Sequence, residues 1–105
     1  MKNKEITPDQ APSCVLCGSA RRYAAPHLLL RTDLIRESFA DHSGYSIAVT
    51  MLDFSVWTSD FAAVRDLTVS AERARRLFER IAAGRVTPCT LRDIAEDWLA
   101  DGTNL

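Results

Sequence analysis

The sequence predicts a small α+β domain: an antiparallel sheet of three or four strands, followed by two C-terminal helices packed on one face. Two observations lead to this prediction. Strand-like segments occupy the middle of the 105-residue chain, and two helical periods fill its last third, from Val69 to Ala100. An order of strands first and helices second is typical of α+β domains, in which helices cover one face of an antiparallel sheet.

Apolar residues recur at helical spacing in two runs of the last third. The first run is Ala74, Leu77, Phe78 and Ile81, and the second is Leu91, Ile94, Ala95 and Trp98. Each run lies on one face of a helix, because residues at i, i+3, i+4 and i+7 share a face. Ser70 and Thr90 are the predicted N-caps, and Gly84 is the predicted left-handed stop of the first helix.

Three segments are predicted strands. The clearest is Tyr45 to Leu52, where Tyr45, Ile47, Val49 and Met51 alternate with small or polar residues. Residues 28–36 are favoured as a strand over a helix. Residues 61–69 are favoured as a strand, with a short helix capped by Asp60 as the alternative. Ser59 and Asp60 supply the predicted turn before this last strand.

Residues 1–26 differ from the rest of the chain. They contain Pro8, Pro12, Pro26 and Gly18, and they lack a sustained apolar period. This composition predicts a flexible or loosely packed N-terminal arm, followed by a single α+β domain over residues 27–105.

Charge and apolar content restrict the class of protein. The formal net charge is −1, which argues against the whole chain binding duplex nucleic acid or an anionic membrane. No apolar run follows the basic start of the chain, and the longest purely apolar stretch is Leu28-Leu29-Leu30. We therefore expect a cytoplasmic protein without a membrane span. An odd number of cysteines, three, also fits a reducing compartment.

Several short motifs resemble a known family. They are Gly44–Val49, Val64–Ser70, Val86–Pro88 and Leu91–Leu99. Over residues 44–100 the chain resembles small bacterial proteins grouped as domain of unknown function 6514 (DUF6514), although Tyr45-Ser46-Ile47 stands where the family has Tyr-Gly-Ile. The resemblance implies a compact cytoplasmic domain of strands and helices. It implies no activity.

The cysteines are the candidate metal ligands. Cys14 and Cys17 form a C-x2-C half-site, which Cys89 and either His27 or His42 could complete as a structural zinc site. Two incidental thiols are the favoured alternative, since no second closely spaced Cys/His pair is present. A redox role for the pair is disfavoured.

The first helix carries a candidate basic stripe of Arg73, Arg76 and Arg80. It predicts either a surface for RNA or an acidic partner, or a solvated face whose arginines pair with nearby acids. Neutral overall charge favours the solvated face.

No catalytic constellation is recognisable, so we expect a protein that is not an enzyme and needs no cofactor; Asp41 and His42 are only a weak acid–base candidate. Trp57 is hard to bury in the predicted sheet. With Phe54 and Val56 it forms the candidate interface, because exposed apolar patches mark interfaces more often than cofactor sites. The function that the sequence favours is a protein-interaction or self-associating module. A nucleic-acid-associated protein and a zinc-stabilised domain are the alternatives.

Overall fold

The computed structural model describes residues 14–100, which form four strands and two helices. The strands are β1 (Cys14–Ala25), β2 (Leu28–Ser38), β3 (Ser43–Asp53) and β4 (Thr58–Thr68), and the helices are α1 (Ala71–Ala83) and α2 (Pro88–Ala100). The strands pair in chain order as one antiparallel sheet. Both helices pack on the same sheet face, α1 mainly on β2 and α2 mainly on β4. The predicted α+β architecture is confirmed. Within residues 14–100, neither helix is long and apolar enough to cross a membrane.

Strand β1 corrects the prediction of an arm over residues 1–26. Residues 14–25 pair with β2 along its length, and residues 1–13 lie outside the described part of the chain. The apolar pattern does not reveal this strand, because small residues take its core positions: a Cβ on Gly18 would lie 3.3 Å from Phe78, and Ala20 also packs against the core. A bulge at Cys17 then breaks the alternation.

The core lies where the sheet meets the helices, as the two apolar patterns predict. Ile47 and Val49 from β3 are fully buried, and the four residues of the predicted α1 stripe are buried against them. Trp98 of α2 is 5% exposed and closes the core under that helix. The opposite sheet face, which we call the outer face, carries the alternate residues of each strand.

The β3–β4 hairpin differs from its prediction. Its turn is residues 54–57, and the predicted turn residues Ser59 and Asp60 belong to β4. Strand β4 also changes phase: Phe61 lies on the outer face, whereas Ala62, Val64 and Leu67 pack towards the helices. The change occurs because residues 65–67 all lie opposite Ser46, a bulge in which Asp66 has a φ of 55°.

The helix ends confirm one predicted cap and correct two. Ser70 accepts a hydrogen bond from the amide of Arg73, as expected of an N-cap. Gly84 ends α1 with a φ of −92°, and the left-handed residue is the next one, Arg85, with a φ of 56°. Thr87, rather than Thr90, precedes α2. The Thr90 hydroxyl instead accepts from the Thr87 amide at 3.2 Å, the reciprocal half of a capping box.

Candidate interaction surface

The turn of the β3–β4 hairpin exposes the three residues of the candidate interface. Trp57 is 83% exposed, Val56 is 62% exposed and Phe54 is 38% exposed. They lie in a turn and not on a strand face, because Asp53 folds the chain back: its Oδ1 accepts from both the amide and the hydroxyl of Ser55, at 2.9 and 2.6 Å. These hydrogen bonds lower the pKa of Asp53.

Aromatic packing and a backbone hydrogen bond fix the position of this turn. The rings of Phe54 and Trp57 meet edge to face with centroids 6.1 Å apart. The Phe54 amide donates to the carbonyl of His27, in the β1–β2 turn, at 2.8 Å. The two hairpin turns therefore lie side by side at one end of the sheet.

Apolar residues of the outer face continue from this turn across the sheet. The register pairs Leu52 with Ser59 on one side and with Leu29 on the other, and Leu29 in turn pairs with Tyr23. Tyr23 is 60% exposed, and Leu29 and Leu52 are half-buried. We call this set the apolar end surface; its residues are Tyr23, Leu29, Leu52, Phe54, Val56 and Trp57. It includes a shallow hollow of about 330 Å³ between Leu52 and the two turn aromatics. Val64, by contrast, packs on the helix side and does not belong to it.

A buried carboxylate lies at the other end of the outer face. Glu37 is 9% exposed and accepts from Arg65 through Nε at 3.2 Å and Nη2 at 2.8 Å. The Ser46 hydroxyl donates to Glu37 Oε1 at 2.6 Å, and the Cys14 thiol lies 3.6 Å from Oε2. Hydrogen bonds from Arg65 and then Ser46 lower the pKa of Glu37. No sequence pattern indicates this group, because Glu37 and Arg65 are separated by 28 positions.

His42 is held between two carboxylates beside this network. Its Nδ1 lies 2.7 Å from Asp41 Oδ1, and its Nε2 lies 2.9 Å from Asp66 Oδ2. The ring also stacks on Phe39 with centroids 5.0 Å apart. The hydrogen bonds to Asp41 and Asp66 raise the pKa of His42, and His42 in turn lowers the pKa of Asp41. The structure thus brings the weak acid–base pair together, but both ring nitrogens are occupied by carboxylates. The arrangement fastens the β2–β3 turn to the bulge of β4.

The structure does not bring the three candidate metal ligands together. The Cys14 thiol faces Glu37, Cys17 packs against the core, and the exposed Cys89 lies in the first turn of α2 with its sulfur 3.3 Å from Thr87 Oγ1. Within residues 14–100, no three His, Cys, Asp or Glu side chains lie close enough to hold a metal ion.

The candidate basic stripe makes contacts within the domain. The Arg73 guanidinium lies over the ring of Trp98, 5.0 Å from its centroid. Arg76 donates to Glu72, one turn earlier, at 2.9 Å. Arg80 lines a crevice of about 350 Å³ between the two helices, together with Asp97. The floor of that crevice is core: Leu77 and Ile81 are each 1% exposed.

Comparisons with known proteins identify one family. The model of the family of unknown function DUF6514 matches residues 28–101, which covers β2 to α2 and leaves β1 outside the match. Neither the curated proteins nor the solved structures contain a significant match to the chain.

Proposed function

This chain belongs to the DUF6514 family, and we propose that it is a cytoplasmic, non-enzymatic module that binds another protein chain through the apolar end surface. The strongest support for this proposal is that Trp57 is 83% exposed and that its backbone is left-handed, with a φ of 54°.

Trp57 contributes little to the stability of the isolated domain, for two independent reasons. The left-handed backbone costs a residue other than glycine about 1–2 kcal/mol. Its exposure also forgoes the stabilisation that burying a large apolar side chain provides, about 2–3 kcal/mol. Gly or Asn would suit the turn better on both counts. A residue type that does not suit its local backbone is expected where that residue serves a function. Trp is among the residues that contribute most binding energy at protein interfaces.

The surroundings of Trp57 support a protein as the partner. Val56 and Tyr23 add exposed apolar area, and Phe54 fixes the indole at its edge. An aromatic anchor surrounded by contiguous apolar residues is typical of the centre of a protein interface.

The polar clusters support a role without catalysis. The carboxylate of Glu37 is occupied by Arg65 and Ser46, and both ring nitrogens of His42 are occupied by aspartates. Groups that satisfy one another in this way stabilise turns and bulges. A general base, in contrast, must be within hydrogen-bond reach of the proton that it abstracts.

Site-specific photocrosslinking in the cells that make the protein tests the proposal. A benzophenone amino acid replaces Trp57 in one variant and Val69 in a matched control, since Val69 is also apolar and is 69% exposed at the β4–α1 junction. We expect a discrete protein adduct from position 57 that is absent from position 69. No adduct from position 57, or the same adducts from both positions, would refute the proposed surface.

A further inference from the structure

The two edges of the sheet are protected to very different degrees. On β4, α2 packs against the strand, Asp60 and Asp66 add charge, and the bulge at residues 65–67 interrupts the ladder. Each of these features discourages a further strand from pairing. Within residues 14–100, β1 pairs only with β2, so its other side is an open edge.

Strand β1 lacks most of the devices that protect natural edges. It is 12 residues long and contains no proline, no lysine and no acidic residue; the bulge at Cys17 is its one irregularity away from the turn. Three of its apolar side chains are also exposed: Val15 at 43%, Leu16 at 56% and Tyr23 at 60%. A long edge strand with exposed apolar side chains is a template for pairing with another strand.

The distribution of side chains along β1 identifies the partner strand. Its first residues are apolar, and its only charges, Arg21 and Arg22, lie near the other end. In the antiparallel register that we propose for two copies of β1, Leu16 lies opposite Arg21 and Val15 opposite Arg22. The aliphatic stems of the arginines then cover the apolar residues, and no two arginines meet. A net charge of −1 adds little long-range repulsion between two copies.

We propose that β1 pairs antiparallel with β1 of a second copy, which joins two four-stranded sheets into one sheet of eight strands. A twofold axis satisfies both open edges at once, because an antiparallel pair of identical strands is self-complementary. Strand β1 lies outside the residues that match the family, so the proposed dimer does not rest on the family match. The inference extends the proposed function by naming one partner and a second surface.

Sedimentation velocity on the full chain, over about a hundredfold range of concentration, tests the dimer by mass action. We expect the mass to approach twice that of the monomer at the high end. Leu16→Lys and Val15→Lys, which both lie outside the apolar end surface, should remain monomeric, since lysines on an edge oppose pairing. Val69→Lys, which introduces the same charge at an exposed apolar site away from β1, should still dimerise. Circular dichroism establishes that each variant is folded.

Amide hydrogen exchange provides a second readout that depends on the backbone alone. In the monomer, alternate amides of β1 face away from β2 and should exchange rapidly. At high concentration we expect those amides to become protected in the wild type and to stay unprotected in Leu16→Lys.

Three results would overturn the inference: a monomer at every concentration, equal weakening by Val69→Lys, or a dimer whose β1 amides remain unprotected. None of them bears on the crosslinks from position 57, so the dimer and the proposed function fail independently.

Discussion

Neutralising Glu37 should destabilise the domain measurably, because this buried carboxylate holds β2, β3 and β4 together. Arg65 donates two hydrogen bonds to it from β4, and Ser46 donates one from β3. In Glu37→Gln the amide nitrogen replaces one acceptor oxygen. If this nitrogen takes the Oε2 position, its N–H donors face the N–H donors of Arg65 Nη2, and the hydrogen bond between them is lost.

The size of the effect follows from these contacts. A hydrogen bond to a charged group contributes about 1.5–3 kcal/mol, and an unsatisfied buried group costs about 1–3 kcal/mol. The Arg65 side chain is 64% exposed, so solvent screens its interaction with Glu37 and reduces the contribution of that interaction to stability. We therefore expect a loss of about 2 kcal/mol, which lowers Tm by roughly 8–16 °C in a domain of this size.

Urea unfolding followed by tryptophan fluorescence measures the loss, since Trp98 lies in the core. Glu79→Gln is the matched control: it neutralises one exposed carboxylate on α1 and should shift the free energy of unfolding by less than about 0.5 kcal/mol. A Glu37→Gln variant as stable as the control would refute the reasoning.

The pH dependence checks the same contacts with a defined sign. Arg65 and Ser46 lower the pKa of Glu37 below its ordinary value of 4.5. The stabilisation by the carboxylate is therefore complete above that value and is lost as the pH falls through the lowered pKa of the folded state. We expect the difference in stability between wild type and Glu37→Gln to narrow below pH 4.5 and to stay constant above it. A difference that grows on acidification would contradict this assignment.

Three further predictions concern the turns and the bulge. In an NMR titration, His42 should have a pKa above 6.5, because Asp41 and Asp66 stabilise its charged form. The protonated ring therefore stabilises the fold fully below pH 6.5, and this stabilisation is lost as the pH rises through the raised pKa. A titration midpoint of His42 at or below 6.5 would contradict these contacts. Arg85→Gly should raise the free energy of unfolding by about 1 kcal/mol, since φ at this position is 56°, and a less stable variant in urea would count against the strain. Gly44→Ala should lower the free energy of unfolding by about 1–3 kcal/mol, because its Cβ would overlap Asp66 Oδ1. Unchanged stability would contradict this, and would show that the Asp66 side chain can move away without cost.

The parts of the fold that the sequence predicts are those with uninterrupted periodicity. Strand β3 alternates cleanly from Tyr45 to Met51, and the α1 stripe keeps one face through Ile81. Burial of one face is the physical cause of both patterns, so the pattern and the packing agree. Trp98 was placed correctly for the same reason, as the last apolar residue of the α2 run.

The parts that the sequence does not predict are those where the backbone departs from a regular period. In β1, Gly18 and Ala20 occupy core positions without looking apolar enough to mark a strand. In β4, the bulge at Asp66 reverses which residues face the core. Arg65 interrupts the apolar alternation of residues 61–69, and this irregularity is the available signal of the bulge.

The apolar composition of the candidate interface indicates its exposure, but it does not indicate the turn in which these residues lie. The strand was predicted to continue through residues 54–57, with Trp57 on one face and Phe54 and Val56 on the other, whereas all three are exposed in a turn. No Gly or Pro marks residues 54–57, so only the Asp53-Phe54-Ser55 sequence indicates the reversal. The contacts of Glu37 and His42 could not be predicted, because their partners on β4 come close only through the sheet register.

The stability of Trp57→Asn tests most directly the claim that Trp57 serves a contact outside the chain. Asn tolerates the left-handed backbone, which favours the variant by up to about 1 kcal/mol. Loss of the edge contact with Phe54 opposes this by about 0.5–1 kcal/mol. In urea unfolding we predict a free energy of unfolding within about 0.5 kcal/mol of wild type. A loss of more than about 1.5 kcal/mol would show that Trp57 is needed by the fold itself, and would contradict the account.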